Sequence, residues 1–399
     1  MRSPRQRRRV LLAAIGDVNS PVTWSGIPYH FMLEARRQGL VDEGLRLATD
    51  RRHWQVRRIA WNAGRLLALE GPGGYQYSTA FLERLYDPVH AKIVGTTVIN
   101  CFQLFPPSVV ENTSIDKWFY IDMTLQQLFD YYGVGNSIGA SIANDSLQRE
   151  RNGYASAKGI IAHSRWAARS VIQDYGIAHD RVHVVVPGAN LDPEQYAAWD
   201  RRQTRSTNIT GTQPLRLVFV GKYWKRKGLD RLLGAFLLSR QGGLNATLRI
   251  IGCSRDSLPA TYRETPGVEW VGFVDKQKEP QRLLHLVAEC DVGCLLSRVE
   301  AGGMALREYQ ALGLVTIGPD TGGAPEHMIE GASIAVSPVA TLEGIANVLL
   351  ELDRSKAKFH RLRENAWNMR RQALWENSVT QILSFWPSWT ADSTQAVVG

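Results

Sequence analysis

Short apolar runs alternate with amphipathic stretches along most of this chain. The run "RVLLAAIG" at 9–16 is followed by a stretch with helical spacing at 26–40, and "AKGIIAHS" at 157–164 is followed by another at 165–177. Two further buried runs lie at 116–122 and 181–188. A strand followed by a helix, repeated, is typical of a parallel sheet covered by helices. The pattern therefore predicts an α/β fold.

The alternation is interrupted at 190–214, which is polar, lacks an apolar period and carries Pro and Gly near its ends. It then resumes with five short apolar runs, at 215–221, 246–252, 268–274, 290–297 and 314–319. This predicts two doubly wound, Rossmann-like domains with an active cleft between them. The expected boundaries are a first domain at 1–189, a linker at 190–214, a second domain at 215–375, and a C-terminal helix at 376–399 that packs back on the first domain.

Charge is distributed unevenly along the chain. The 399 residues carry a net charge of +9, and the first 65 hold 13 arginines against 5 acidic residues. Such a basic region suggests an anionic partner, which could be a membrane surface, a lipid-linked or phosphorylated acceptor, or nucleic acid. A solvated basic surface accounts for the same residues. No apolar run reaches the roughly 20 residues of a membrane span, and four scattered cysteines fit reduced thiols. We therefore expect a cytoplasmic protein, with peripheral contact to an anionic membrane as the use of the Arg-rich region.

A cluster of cations follows the first strand of the second domain. In "LVFVGKYWKRKGLDRLLGAF" at 217–236, a buried strand ends at Gly221, and the loop that follows holds Lys222, Lys225, Arg226 and Lys227. A helix is predicted to begin near Gly228. Cations at the carboxyl edge of a parallel strand, beside a helix N-terminus, suit a phosphate-bearing ligand. A solvated turn accounts equally well for the loop when it is taken alone.

The stretch "SRVEAGGMALREYQALG" at 297–313 has the complementary chemistry. Glycines at 302 and 303 allow a ligand to approach the backbone, and the N–H groups of Gly303, Met304 and Ala305 are free at the start of the predicted helix. Such donors favour an anion or a sugar oxygen. Glu300 and Glu308 could accept hydrogen bonds from hydroxyl groups in the cleft. The alternative is that Glu308 is a surface residue that pairs with Arg307 or with nothing.

The order of these segments, completed by "ALGLVTIGPDTGGAPE" at 311–326, resembles the retaining family 4 glycosyltransferases, which have the two-domain GT-B architecture. The resemblance covers most of the chain and is strongest at 215–330. It implies an acceptor-binding first domain, a nucleotide-sugar-binding second domain and no cofactor or metal. It implies a catalytic role for Glu300, Lys227 and Lys222, and donor binding by Gly26, Gly221, Gly302, Gly303, Met304, Ala305 and Glu308.

Three features depart from that family's pattern. The usual Glu-Gly-Phe-Gly run is Glu-Ala-Gly-Gly here, and Lys222 replaces an Arg, which keeps the charge but loses the bidentate fork. Many members carry a His at the end of a first-domain strand, where "KWFYID" ends in Asp122. We expect Asp122 to face the cleft as a catalytic residue, and an Asp that merely caps a turn is the other interpretation.

The resemblance implies transfer of a hexose from a nucleotide-diphosphate sugar to a glycan, a lipid-linked or another hydroxyl acceptor, with a role in envelope polysaccharide or glycolipid synthesis. Loss of a diphosphate leaves a sugar with oxocarbenium character, and cations and helix N–H groups stabilise the departing charge without a metal. Three alternatives stay open. They are a nucleotide-sugar epimerase of similar shape, a nucleic-acid-binding protein that uses the basic N-terminal region, and a non-catalytic nucleotide-sugar sensor. With the transferase, we expect no nucleic-acid partner.

Overall fold

The computed structural model describes residues 7–47, 51–68, 72–203 and 213–387. Residues 1–6 of the Arg-rich start lie outside this range. The first domain holds the strands β1 (Val10–Ala13), β2 (Gly16–Asp17), β3 (Glu43–Gly44), β4 (Arg46–Leu47), β5 (Thr97–Asn100), β6 (Asp116–Ile121), β7 (Gly159–Ala162) and β8 (Val182–Val184). Six of them form a parallel sheet in the order β3-β1-β5-β6-β7-β8, while β2 and β4 pair separately in an antiparallel ladder.

Helices cover this sheet on both faces. They are α1 (Ile27–Arg37), α2 (Arg51–Leu67), α3 (Thr79–Tyr86), α4 (His90–Ile93), α5 (Pro107–Val110), α6 (Leu125–Asp130), α7 (Ala140–Ser156) and α8 (Arg165–Gln173). The central strands β1, β5, β6 and β7 are buried along their whole length, as expected when apolar side chains on both faces of a parallel sheet meet helices. The strands predicted from the apolar runs at 9–16, 116–122, 157–164 and 181–188 are confirmed.

The second domain repeats this plan. Its strands are β9 (Leu215–Val220), β10 (Ala246–Ile251), β11 (Val268–Gly272), β12 (Val292–Cys294), β13 (Val315–Pro319) and β14 (Ser333–Val336), all parallel in the order β11-β10-β9-β12-β13-β14. Each of the five predicted runs of this domain contains one of these strands. The two doubly wound sheets of the predicted fold class are therefore confirmed.

Two helices join the domains, one before the second domain and one after it. Within the predicted linker, α9 (Pro193–Arg202) begins at an Asp192 cap and buries Tyr196 and Trp199, which are three residues apart and so share a face. Residues 204–212 of the linker lie outside the described residues.

The helices of the second domain are α10 (Leu229–Gln241), α11 (Ala260–Arg263), α12 (Pro280–Ala288), α13 (Met304–Ala311), α14 (Leu342–Arg354) and α15 (Lys356–Met369).

The last described helix, α16 (Trp375–Phe385), returns to the first domain. Its buried face, with Trp375, Val379 and Ile382, joins the cluster formed by β1 and α1, and the ring of Trp375 lies 5.7 Å from that of Phe31. Residues 388–399 of the predicted C-terminal segment lie outside the described residues. Among the helices that the structure describes, none combines the length and apolar character needed to cross a membrane.

Candidate functional site

The loops after β6 and β7 meet the loops after β12 and β13, so the carboxyl edges of the two sheets face each other. The hydroxyl of Tyr131 lies 2.7 Å from that of Thr321 and accepts a hydrogen bond from the N–H of Glu300 at 3.1 Å. The hydroxyl of Tyr132 accepts one from the N–H of Ala301 at 2.8 Å. The two tyrosines come from the first domain, and the groups they bind come from the second. The cleft expected from the sequence therefore contains the Glu-Ala-Gly-Gly loop.

An ion pair joins two of the predicted catalytic residues inside this cleft. The Nζ of Lys227 lies 2.5 Å from the Oε2 of Glu300, and the hydroxyl of Ser297 donates to the same oxygen at 2.9 Å. The guanidinium of Arg226 is 3.6 Å from it. Burial alone would raise the pKa of Glu300, but Lys227 and then Arg226 hold it below its ordinary value. Glu300 is therefore a buried carboxylate that stays ionised because of its cations.

The cation loop and the acidic loop are held together by backbone contacts. Gly228 lies against the carbonyl of Leu296, where an added Cβ would be 1.9 Å from that oxygen. Arg298 also donates from its backbone N–H to the carbonyl of Arg226. The position after the lysines must therefore be glycine for the two loops to come this close. This contact explains how cations 73 residues away in the chain reach Glu300.

The glycines before α13 serve two different purposes. Gly303 has a φ of +83° and precedes the first helical residue, so it turns the chain into α13 with a conformation that other residues rarely adopt. Gly302 instead provides space, because an added Cβ would lie 2.4 Å from Cε1 of His327. The imidazole of His327 thus fills the volume that a side chain at 302 would need.

Glu308 lies about one turn into α13. Its side chain is buried and pairs with Lys276. Its neighbour Arg307 is also buried, and donates to the carbonyls of Pro187 and Gln372 at 2.9 and 2.8 Å. The alternative of a surface Glu308 paired with Arg307 is therefore wrong. Burial, and then the charge of Lys276, lower the pKa of His30 on α1 to about 3.

Asp122 follows β6 directly and is half-buried. Burial, reinforced by the charge of Glu300, raises its pKa to about 7. A carboxyl poised to titrate near neutrality suits a proton acceptor better than a simple turn cap does.

The turn that contains Gly26 is strained. Trp24 and Ser25 have φ values of +41° and +58°, which are uncommon for residues other than glycine, and Gly26 follows at +87° before α1 begins. Asn190 donates to the carbonyl of Ser25 at 2.9 Å, and the ring of Trp24 stacks on His163 at 5.6 Å. Backbone strain of this kind is concentrated at ligand sites, where surrounding contacts maintain it.

Two further contacts join the two domains. The carboxylate of Glu326 accepts hydrogen bonds from the N–H groups of Arg165 and Trp166, at 2.7 and 3.1 Å, at the start of α8. A Cβ at Gly323 would lie 2.1 Å from the carbonyl of Ala301 and 2.5 Å from the Oγ of Ser164. The Gly-Gly-x-x-Glu segment at 322–326 thus binds the first domain.

The structure does not bring all the predicted residues together. Lys222 is exposed and lies over the ring of Phe273, 4.4 Å from its centre, while Gly221 is half-buried at the end of β9. Met304 packs against the first-domain cluster that includes Trp24, and Ala305 packs within the second domain. Lys222 therefore has no described contact with the Lys227–Glu300 pair, and its catalytic role stays a prediction.

The sequence analysis missed His163 and His327. Both are buried at the contact between the domains, and Nε2 of His163 has no hydrogen-bond partner among the described residues. Burial lowers the pKa of His327 to about 3 and that of His163 well below its ordinary value. Both rings are therefore neutral near pH 7. The only sequence signal was the glycine at 302, where the resemblance would place a large side chain.

Comparison with known proteins finds relatives for part of this chain. Residues 214–354 match the sequence model of the family described as glycosyl transferases group 1. The D-inositol 3-phosphate glycosyltransferase of Nocardia farcinica is 29% identical over 194 residues, which are 46% of this chain and 42% of the relative. The chain spans about half the length of the curated relatives that it matches.

Two solved structures resemble nearly the whole chain. Sucrose-phosphate synthase from Thermosynechococcus elongatus has a TM-score of 0.65 and 14% identity, over 96% of this chain and 98% of that one. Anabaena HepE in complex with UDP and glucose has a TM-score of 0.57 and 13% identity, over 95% of this chain and 100% of that one. At such identities the likeness establishes the fold alone.

Two parallel-sheet domains with facing edges, together with these likenesses, show that the chain has the GT-B fold. Residues 214–354, which resemble the glycosyl transferases group 1 family, lie within the second domain. The same matches do not favour a nucleotide-sugar epimerase or a nucleic-acid-binding protein. Among the described residues, no three His, Cys, Asp or Glu side chains are grouped in a way that could hold a metal ion.

Proposed function

We propose that this protein is a retaining, metal-independent glycosyltransferase that moves a hexose from a nucleotide-diphosphate sugar to a hydroxyl acceptor. The observation that carries the proposal is the Lys227–Glu300 pair, which lies beside the start of α13 and faces the first domain. Cations, helix N–H groups and buried carboxylates in one cleft are what a diphosphate attached to a polyhydroxylated sugar requires.

The charges of the cleft suit the two ends of the donor. Lys227 and Arg226 supply positive charge for the diphosphate, and Glu308 supplies a buried acceptor for the ribose hydroxyls. Lys276 pairs with one oxygen of Glu308, so the carboxylate keeps acceptor sites for the ribose hydroxyls. Lys276 would then be a further cation near the donor. Because HepE was solved with UDP and glucose, UDP-sugars are the first donors to test.

The chemistry follows from how the charge moves. Breaking the bond between C1 and the phosphate oxygen leaves negative charge on the diphosphate, which the cations stabilise at its source. The acceptor oxygen then bonds to C1 on the face that the phosphate leaves, and its proton goes to a base. We assign that role to Asp122, since its pKa of about 7 allows it to be ionised before the step and protonated after it.

We further propose that the acceptor is a lipid-linked or envelope glycan met at the cytosolic face of a membrane. The N. farcinica relative carries the name of an enzyme for a phosphorylated inositol. An acceptor that carries phosphate, either free or in a lipid headgroup, would also suit a basic N-terminal region of 13 arginines and 5 acidic residues in the first 65.

Incubation with UDP-, GDP- and ADP-hexoses, with and without glycan or polyprenyl-phosphate acceptors, tests this function. Without acceptor, we expect one donor to be hydrolysed slowly to the free hexose. With acceptor, we expect the same donor to be consumed faster, and an α-linked donor to give an α-linked product. NMR of the anomeric proton distinguishes retention from inversion, and EDTA should leave the rate unchanged. Conversion of the donor into an epimer without acceptor would refute transfer.

A further inference from the structure

Helix α2 presents an apolar face to solvent. The side chains of Val56, Ile59, Leu66 and Leu67 are 65%, 66%, 58% and 87% exposed, and Ala60 and Ala63 between them are exposed as well. These positions follow the i, i+3, i+4, i+7 spacing of a single helical face. Four large apolar side chains on one 17-residue helix form a continuous stripe, whereas single exposed apolar residues need no explanation.

The same helix is basic throughout. Its 17 residues include five arginines and no Asp or Glu. The side chains of Arg57 and Arg58 are exposed, and Arg58 lies over the ring of Trp54, 4.7 Å from its centre. Positive charge therefore borders the apolar stripe without any acidic residue on the helix to offset it.

The opposite face of α2 is already anchored to the first domain. Trp61 donates from Nε1 to the carbonyl of Gly73 at 3.1 Å, and its ring lies 5.8 Å from that of Tyr75. Arg65 is buried and donates to the hydroxyl of Ser141 at 3.0 Å. Because these contacts fix the helix by its other face, the apolar stripe is not the face that joins the core of its own domain.

The combination of stripe and charge selects one kind of occupant. Nucleic acid would bind the arginines but would gain nothing from Val56, Ile59 and Leu66. A protein partner or a second copy would cover the stripe but does not require an acid-free helix. An anionic lipid surface binds both the apolar stripe and the arginines. Apolar side chains enter the boundary between headgroups and acyl chains, while arginines bind lipid phosphates. We propose that α2 lies flat on an anionic membrane and is the docking surface of this protein.

A series of aromatic contacts links helix α2 to the cleft. The helix contacts Tyr75, and two residues later Tyr77 packs on Phe129 at 5.5 Å between ring centres. Phe129 belongs to α6, which leads directly to Tyr131 and its contact with Glu300. A docked α2 would therefore hold the acceptor side of the cleft close to a membrane-borne substrate. This consequence rests on the proposed function. The docking surface itself stands on the geometry of α2 alone.

Sedimentation of the full chain with vesicles tests the proposal. We expect binding to phosphatidylcholine vesicles that contain phosphatidylglycerol, weak binding to pure phosphatidylcholine, and loss of binding at high salt. The triple variant Val56→Gln, Ile59→Gln, Leu66→Gln should lose most of the binding, while Val339→Gln, at a residue 87% exposed on the second domain, should not. Arg57→Gln should weaken binding about fivefold, since a basic side chain near an anionic surface contributes about 1 kcal/mol. Arg361→Gln, at an exposed position on α15, is the matched control.

Several results would overturn the proposal. These are equal binding of the parent and the triple variant, equal binding to neutral and anionic vesicles, a parent dimer that the triple variant dissolves, or protein that binds DNA but not vesicles. Circular dichroism of each variant establishes that it is folded. Hydrolysis of the donor in free solution should be the same in parent and triple variant. Loss of vesicle binding with retained hydrolysis therefore isolates docking, whereas absence of hydrolysis from both refutes the proposed function and leaves the docking result intact.

Discussion

Lys227 and Glu300 form a 2.5 Å ion pair between loops that follow two neighbouring strands, β9 and β12. Both side chains are largely removed from solvent, so the pair is a preset charge arrangement and not a surface contact. In the proposed reaction, Lys227 faces a carboxylate before the donor binds and a diphosphate afterwards. The pair therefore keeps the cation ordered before the donor binds.

Replacing Lys227 by Met removes the charge and keeps most of the side-chain volume. We expect turnover to fall by about 2–4 kcal/mol in transition-state free energy, or about 30- to 1,000-fold. Glu300 would then rely on Arg226, so its pKa should rise. Steady-state kinetics with the preferred donor measures the loss. Lys225→Met is the matched control, because Lys225 lies in the same loop but is exposed. Equal losses in both variants would place Lys227 outside the site.

Asp122 should make both stability and activity depend on pH. Because its pKa is raised from 3.8 to about 7, the folded state binds the proton more tightly than the unfolded state, and the free energy of unfolding falls as pH rises between these values. The Asp122→Asn variant has no carboxyl to ionise at this position, so its free energy of unfolding does not show this fall. Its stability relative to the parent should be roughly 1–3 kcal/mol greater at pH 8 than at pH 4, an effect moderated by the partial exposure of the side chain.

Urea unfolding at several pH values measures this difference, with Asp87→Asn at an exposed position as control. The parent should also show an inflection near pH 7 in kcat/KM, which Asp122→Asn should lack along with most of its activity. An identical pH profile in parent and variant would remove Asp122 from the role of base.

Gly302 and His327 should be energetically coupled. Gly302→Ala places a methyl group 2.4 Å from the His327 ring, which should destabilise the fold by about 1–3 kcal/mol. His327→Ala makes room for that methyl group, so the double variant should lose less than the sum of the single losses. We expect a coupling of about 1 kcal/mol or more in a double-mutant cycle followed by urea unfolding. Gly344→Ala, whose added atom makes only an ordinary contact, serves as control. Additive losses would contradict the complementarity of the two positions.

Tyr131 and Tyr132 should hold the domains in their closed arrangement. The double variant Tyr131→Phe, Tyr132→Phe removes the acceptors of the Glu300 and Ala301 N–H groups and the contact with Thr321. At about 1 kcal/mol for each of these three hydrogen bonds, the balance between closed and open forms should shift towards the open form by about 150-fold. Small-angle scattering would show a larger radius of gyration, and Tyr223→Phe, at an exposed tyrosine, should show none. An unchanged radius would mean that other contacts determine closure.

The fold could be predicted from the sequence because its signals are local. Strands such as β1 and β7 are buried at every residue, so each appears as an unbroken apolar run followed by a helical period. The start of a helix was predicted at 303–305, and α13 begins at Met304, because Gly303 ends the loop with a backbone conformation that glycine favours.

The rest of the site depends on contacts between residues far apart in the chain. Tyr131 meets Glu300 across 169 positions, and Glu326 meets Arg165 across 161, only because the two domains close on each other. No local pattern marks a tyrosine or a glutamate for such a contact. His163 and His327 were missed for the same reason. The exposed stripe of α2 was also missed, since a helical period in the sequence does not tell which face the fold leaves uncovered.

A thermal-shift screen over UDP-, GDP- and ADP-sugars, performed on the parent and on Glu308→Ala, tests the central claim most directly. Glu308 is buried in the cleft and does not belong to the Lys227–Glu300 pair, so its removal should weaken donor binding while leaving that pair in place. The account predicts that one nucleotide sugar raises the melting temperature of the parent, since a ligand bound only to the folded state stabilises it by RT ln(1 + [L]/Kd). It predicts a much smaller rise for Glu308→Ala. No stabilisation of the parent by any of these sugars, or equal stabilisation of both proteins, would contradict it.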